Sequence, residues 1–289
     1  MSSSFLVIDI NKLYYELYSL FLKIDSTTSL SIGRSNKIIS CFMSLFYKKY
    51  ASPDVRLNSE MEEIVKEIQK KLVELNKSNK LTNLLASKVE KISMSSCNER
   101  ELDELRFFQE QCNKTISFFY RSLAFYAKFR DNLQHSDKLK LIVKNFSDRF
   151  AYYCKDICPR EELEKIFEKQ KYELRETPRQ CLIEFHNAMS HLCSLYRAGK
   201  TQTNKKDNQI NIQRASNHFL RGGLDACKII IKDYFVLNLE NIDKNDEICK
   251  DYMRVRELEY NLIGEDDKKQ EIQGIYLSIC KKILKRYEK

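Results

Sequence analysis

The segment ERELDELRFFQEQCNKTISFFYRSLAFYAKFRDN, residues 99–132, carries a regular pattern of apolar side chains. They recur at steps of three and four residues, at Leu102, Leu105, Phe108, Cys112, Ile116, Phe119, Leu123 and Tyr126. Because an α-helix has about 3.6 residues per turn, this spacing puts all of them on one face of a helix. The segment therefore predicts one long α-helix that packs against a core.

The other long segments share this period, and none alternates apolar and polar residues over the length of a strand. The whole chain of 289 residues holds only 6 Gly and 3 Pro, so brief turns between long helices are expected. Further helices are predicted over residues 5–24, 35–50, 59–89, 136–158, 160–176, 178–199 and 209–235, with two more towards the C-terminus. The polar run 76–80 either bends or breaks the helix predicted over 59–89. The sequence thus predicts an all-α fold, a multi-helix bundle of long antiparallel helices.

Several helix ends carry their own signals. Ser59 and Glu62 have the spacing of a capping box, and Thr177 followed by Pro178 is typical of a helix start. We predict an N-terminal helical region over residues 1–93 and a helical bundle over 94–289 with a hairpin at 176–236. One continuous domain is the alternative.

The net charge of +9 is spread along the chain, and no segment forms a basic arm. The densest basic cluster lies at the end of the last predicted helix, where cations complement the helix dipole. A solvated helix end is the simpler interpretation of this cluster, and phosphate contact is the alternative. Its members are Lys281, Lys282, Lys285, Arg286 and Lys289.

The ten cysteines occur singly along predicted helices, so we expect reduced, buried thiols rather than a disulfide framework. Residues 5–24 have the length of a membrane span but include charged side chains, which favours an amphipathic helix and no membrane insertion. No secretory signal is evident. The expected location is the cytoplasm.

Common catalytic and cofactor motifs are missing from the sequence. It has no Gly-rich phosphate loop, no CxxC pair, no HExxH and no GxSxG, so we expect no cofactor and no metal site. Three of the four histidines, His186, His191 and His218, lie in the predicted hairpin. A short loop would set its two helices antiparallel.

The first helix of the hairpin has two distinct faces. Its core stripe consists of Leu182, Phe185, Met189, Leu192 and Tyr196, and its opposite face consists of Glu184, Asn187, His191 and Ser194. His191 is therefore predicted to be accessible. His186 borders the core stripe and is predicted to be partly buried.

The second helix of the hairpin has a polar face. Arg214, His218 and Arg221 share it with Asn211 and Asp225, at steps of three and four residues. This face is either a phosphate-binding stripe or a solvated face with an Arg221–Asp225 pair. Next to it, residues 222–223 are two consecutive glycines, which predict a close backbone approach or a break in the helix.

The stretch Glu184-Phe185-His186-Asn187-Ala188-Met189-Ser190-His191 resembles the signature of HEPN domains. These are helical bundles, many of them ribonucleases, that carry Arg, often followed by Asn, and then His a few residues later. His191 matches the histidine of the family, and Asn187 matches the residue after the arginine. His186 stands where the arginine is expected.

This resemblance implies a metal-independent ribonuclease in which histidine moves a proton at the ribose 2′-hydroxyl and arginine stabilises the phosphate, in a site shared across a dimer. A neutral His186 cannot replace a guanidinium. Either Arg214 or Arg221 therefore supplies the charge, or the domain is inactive and retained for binding. The candidate catalytic residues are His191, His186, Asn187 and His218, and the candidate RNA-binding residues are Arg214 and Arg221.

Two functions follow as hypotheses. The first is a helical interaction protein with a degenerate HEPN-like domain, which binds a protein partner or a second copy of itself. The family analogy, with usage rich in Lys, Asn and Ile, suggests a subunit of a bacterial defence or toxin–antitoxin system. The alternative is an endoribonuclease that acts on RNA. Convergence of His191, His218, Arg214 and Arg221 would favour chemistry, and separate exposed faces would favour scaffolding.

Overall fold

A computed structural model of the chain describes eight segments in detail. They cover residues 10–24, 36–51, 58–76, 110–133, 177–199, 205–238, 246–261 and 269–288, together with the single residues Phe107 and Asp243. The predicted boundary near residue 93 and the helices predicted over 136–158 and 160–176 lie outside these residues. So do Cys97, Cys154, Cys158 and His135.

The described residues form eight α-helices and no strand, which confirms the predicted all-α fold. None of these helices combines the length and the apolar character needed to cross a lipid bilayer. The helices are α1 (Ile10–Ile24), α2 (Asn36–Ala51), α3 (Ser59–Asn76), α4 (Asn113–Leu133), α5 (Arg179–Gly199), α6 (Lys205–Leu237), α7 (Glu247–Asn261) and α8 (Lys269–Tyr287).

Three predicted helix boundaries differ from the structure. The cap of α3 is Asn58, whose Oδ1 accepts a 2.9 Å hydrogen bond from the Met61 amide, so the predicted cap at Ser59 was one residue late. A turn at Cys112 precedes α4, so the predicted helix over 99–132 is not continuous. Helix α6 begins at Lys205 rather than at residue 209, because the polar residues there continue the helix instead of forming a loop.

The chain divides into two compact units. The first unit comprises Met1–Ile116 and Leu182–Phe219, and the second comprises Ser117–Cys181 and Leu220–Lys289. In the first unit α1, α2 and α3 pack against one another. The core of this unit is rich in buried aromatic side chains, which come from α1, α2, α5 and α6, namely Tyr14, Tyr18, Phe21, Phe42, Phe46, Phe185 and Phe219.

The second unit contains the glycine pair, and the structure decides between the two expectations for it. Helix α6 runs without a break through Gly223. A Cβ atom on Gly223 would lie 2.6 Å from the Phe118 ring and 3.2 Å from the Phe119 Cα atom. The glycine therefore permits a close approach between α6 and α4, as one of the two interpretations predicted.

In the second unit α7 and α8 pack against each other, and pairs of oppositely charged side chains join them. Lys282 forms ion pairs with Glu247 and with Asp251, the latter at 2.7 Å, and Arg286 lies 2.7 Å from Asp246. Two members of the C-terminal basic cluster thus have acidic partners within their own unit. This favours the structural interpretation of those two residues over phosphate contact.

All seven cysteines among the described residues are free thiols, and six of them are buried. The exception is Cys41, which is half-buried. Burial raises the pKa of the Cys112 and Cys193 thiols to about 12, so both are protonated at neutral pH. These thiols match the predicted role as small core side chains.

Candidate active site

Two histidines from different helices meet in the first unit. His191 lies on α5 and His218 on α6, and their rings stack with centroids 5.5 Å apart and planes inclined by 16°. Both side chains are half-buried. The two candidate catalytic histidines that the sequence placed on separate polar faces therefore lie side by side.

A carboxylate holds His218. Its Nδ1 atom lies 2.7 Å from Oε2 of Glu184, a carboxylate on α5 whose side chain is only 9% exposed. A carboxylate accepts hydrogen bonds, so Nδ1 of His218 carries a proton. The Nε2 atom of His218 is then the nitrogen that can exchange a proton with another molecule.

An amide holds His191. Its Nδ1 atom lies 3.0 Å from Oδ1 of Asn211, and the Asn211 Nδ2 atom donates a 3.1 Å hydrogen bond to the Asp207 carbonyl oxygen. The second bond orients the amide, so its oxygen faces the histidine and Nδ1 of His191 must donate. His191 therefore has the same tautomer as His218, with Nε2 available.

These two pairings also fix the direction of the helices. Glu184 and His191 are seven residues apart on α5, and Asn211 and His218 are seven residues apart on α6. The earlier residue of each helix pairs with the later residue of the other. This cross-pairing requires antiparallel helices and confirms the predicted hairpin geometry for residues 184–218.

The electrostatic surroundings favour a neutral His191. Burial lowers its pKa below the ordinary value of 6.5, and the nearby charges of His218 and Arg214 lower it further. The hydrogen bond to Asn211 acts in the opposite direction and raises the pKa. At neutral pH His191 is consequently an uncharged imidazole with a lone pair on Nε2, as a general base requires.

His186 lies apart from this pair, among aromatic side chains. It is only 9% exposed, and its Nδ1 atom lies 3.0 Å from the Tyr18 hydroxyl. Its ring meets that of Phe21 edge to face, with centroids 5.5 Å apart. His186 is thus more deeply buried than predicted, and its ring belongs to the core rather than to the His191–His218 pair.

The remaining predicted site residues, Asn187, Arg214 and Arg221, differ in exposure and in the unit to which they belong. Asn187 is half-buried on α5, and its carbonyl oxygen accepts a 2.8 Å hydrogen bond from the Ser190 hydroxyl. Arg214 is exposed on α6, close enough to His191 for its charge to lower the pKa of that ring. Arg221 is also exposed, but it belongs to the second unit.

Glu184 and Asn211, the two partners of the histidines, have no predicted role in the candidate site. Both residues were placed on the polar faces of the hairpin, and each lies seven residues before a histidine. These two spacings are visible in the sequence, but the cross-pairing also depends on the register between the two helices, which the sequence does not show. Among the described residues, no three His, Cys, Asp or Glu side chains are grouped so that they could hold a metal ion.

Comparisons of this chain with protein-family models, with curated proteins and with solved structures find no match.

Proposed function

We propose that the protein is an endoribonuclease that needs no metal ion and cleaves RNA with His191 and His218. The observation that supports this proposal is the pairing of two histidines from two helices, each held in the tautomer that leaves Nε2 as the nitrogen for proton transfer. Acid–base cleavage of RNA needs two such groups, one to accept a proton and one to donate a proton.

The proposed reaction uses the ribose 2′-hydroxyl as the nucleophile. One histidine removes its proton while the 2′ oxygen forms a bond to phosphorus. The bond from phosphorus to the 5′ oxygen of the next nucleotide breaks, and the other histidine gives that oxygen a proton. The products are a 2′,3′-cyclic phosphate and a 5′-hydroxyl, and the histidines exchange their protonation states.

Arg214 is the residue best placed to bind the phosphate. Its guanidinium is permanently charged and exposed, and its charge acts on His191. His186, at the position where HEPN ribonucleases have arginine, is buried against Tyr18 and Phe21 and offers no comparable charge. In this proposal Arg214 therefore stabilises the phosphate, as the arginine of HEPN ribonucleases does.

A cleavage assay with two variants tests the proposal. End-labelled RNA is incubated in EDTA with wild-type protein, with Arg214→Ala and with Gln213→Ala as the matched control. Gln213 is also exposed, and its loss removes only a 3.2 Å hydrogen bond to Asn217. We expect cleavage by wild type and by Gln213→Ala, and a loss of roughly 10²–10³-fold in Arg214→Ala because one transition-state contact disappears.

Two results would count against this function. The first is that wild type cleaves none of a panel of structured and unstructured RNAs, and the second is that Arg214→Ala cleaves as fast as Gln213→Ala. EDTA-sensitive cleavage would point to a metal-dependent reaction instead. Mass spectrometry of the products supplies a further check, since the proposed reaction leaves a cyclic phosphate.

The second candidate is a non-catalytic, HEPN-like interaction protein, such as a subunit of a bacterial defence or toxin–antitoxin system. Two large apolar side chains on α7 favour it. Met253 is 67% exposed and Tyr260 is 79% exposed, and their spacing of seven residues puts them on one face. Light scattering of wild type and of Met253→Ser/Tyr260→Ser tests whether this face joins two copies of the chain, and equal masses would argue against it.

A further inference from the structure

The two histidines of the candidate site have chemically different partners. The partner of His218 is the carboxylate of Glu184, and the partner of His191 is the uncharged amide of Asn211. Both hydrogen bonds fix the same tautomer, so the difference between the two rings lies in charge. A carboxylate at 2.7 Å stabilises an imidazolium, whereas an amide oxygen at 3.0 Å contributes no ionic attraction.

The stacking of the rings adds a second reason for the difference. With centroids 5.5 Å apart, two imidazolium ions would repel each other, and the charge of Arg214 would oppose a second cation at His191. Among the described residues, the charged groups that act on the pair include Glu184 on α5 and Arg214 on α6, while Asp207 contributes its backbone carbonyl to Asn211. Of the two rings, His218 is therefore the one hydrogen-bonded to a carboxylate, and His191 is the one next to a permanent positive charge.

We propose that His191 is the general base and His218 the general acid of the reaction, with Glu184 and Asn211 as the positioning residues that enforce this division. The inference rests on the proposed endoribonuclease function and deepens it. His191 Nε2 accepts the proton of the ribose 2′-hydroxyl as the 2′ oxygen attacks phosphorus. His218 Nε2 gives its proton to the 5′ oxygen as the bond from phosphorus to that oxygen breaks.

A change of leaving group separates the two roles. The cleaved linkage is first mapped with wild type, and the same RNA is then made with sulfur in place of the bridging 5′ oxygen at that linkage. A thiolate leaves without protonation, so the sulfur-substituted RNA needs the base but not the acid. Wild type, His191→Ala and His218→Ala are compared on both RNAs, at equal protein concentration and in EDTA.

We expect both variants to cleave the normal RNA roughly 10²–10⁴-fold more slowly than wild type, the usual contribution of a proton-transfer group. On the sulfur-substituted RNA His218→Ala should return to within about tenfold of wild type, because its missing proton is no longer required. His191→Ala should remain slow on both RNAs.

The positioning residues have a separate readout, the pH dependence of kcat/KM. Glu184→Gln keeps a hydrogen-bond acceptor but removes the charge, so the basic limb of the profile should move to lower pH. Asn211→Asp adds a charge next to the base, so the acidic limb should move to higher pH. A purely structural role of these residues would lower the amount of folded protein and leave both limbs in place.

The outcomes distinguish this inference from the function on which it rests. If wild type cleaves neither RNA, the endoribonuclease proposal fails, and this inference fails with it. If wild type cleaves both RNAs but His218→Ala stays slow on the sulfur-substituted RNA, the function stands and the division of roles is wrong. Recovery of His191→Ala instead of His218→Ala would show that the roles are reversed.

Discussion

His186 and His191 are five residues apart on α5, yet they lie in opposite kinds of surroundings. His186 contacts Tyr18 and Phe21 in an aromatic core and is nearly inaccessible. His191 stacks on His218 and is held by an amide. Five residues correspond to about 140° around a helix, so one side chain faces the core and the other does not. The comparison shows that helix face, rather than residue type, separates a packing histidine from a candidate catalytic one.

The largest expected effect on stability comes from His186. Replacement by Ala removes a buried ring and its hydrogen bond to Tyr18, so we expect His186→Ala to lower the free energy of unfolding by about 2–4 kcal/mol. His191→Ala removes a half-buried ring and should change it by no more than about 0.5–1 kcal/mol. Urea unfolding followed by circular dichroism measures both values. Equal losses in the two variants would erase the distinction between the two histidines.

The contrast between packed and open positions recurs in the second unit, where it can be tested with glycines. A methyl group at Gly223 would meet the Phe118 ring at 2.6 Å, so Gly223→Ala should destabilise the protein by about 1–3 kcal/mol. Apart from the backbone of α8 itself, no atom of the described residues lies within 4 Å of a Cβ built on Gly274, so Gly274→Ala should stabilise the protein by up to about 1 kcal/mol. Urea midpoints that move in the same direction would refute the close approach of α6 to α4.

A smaller change isolates the hydrogen bond of the packing histidine. Tyr18→Phe keeps the aromatic ring but removes the hydroxyl that lies 3.0 Å from His186 Nδ1. The expected loss is about 1 kcal/mol, the usual net value of one buried hydrogen bond. In Tyr18→Phe/His186→Ala the effect of the tyrosine change should largely vanish. Full additivity of the two changes would contradict an interaction between them.

The smallest expected effect is a pH dependence of stability that arises from His191. Its folded-state pKa is lowered by burial, so below the unfolded value of 6.5 the unfolded chain binds a proton more readily than the folded chain. The contribution of the neutral His191 ring to the free energy of unfolding is therefore fully present above pH 6.5. It is lost as the pH falls through the folded-state pKa. Urea midpoints of wild type at pH 7.5 and 5.5 should differ more than those of His191→Ala. Ser194→Ala, on the same face of α5, serves as the non-titrating control and should behave as wild type does.

Periodicity was sufficient to predict the fold class and the core stripe of α5, because both depend on local sequence. The opposite face was predicted less well, since Glu184 on that face is buried and His191 is half-buried. Helix ends were less predictable, since Asn58 and Ser59 are both good caps and only the observed hydrogen bond separates them. The partners of the histidines required the register between α5 and α6, which is a tertiary property. Nothing in the local sequence of His218 indicates that Glu184, 34 residues away, is its partner.

Cleavage of one RNA in EDTA by wild type, His186→Ala and His191→Ala is the most direct test of the contrast between the two histidines. Each variant is assayed below its own unfolding transition, so that only folded protein is compared. We expect His186→Ala to retain activity within about tenfold of wild type, and His191→Ala to lose roughly 10²–10⁴-fold because a proton-transfer group is missing. Cleavage that survives in His191→Ala, or that disappears in folded His186→Ala, would contradict the assignment of the His191–His218 pair as the active site.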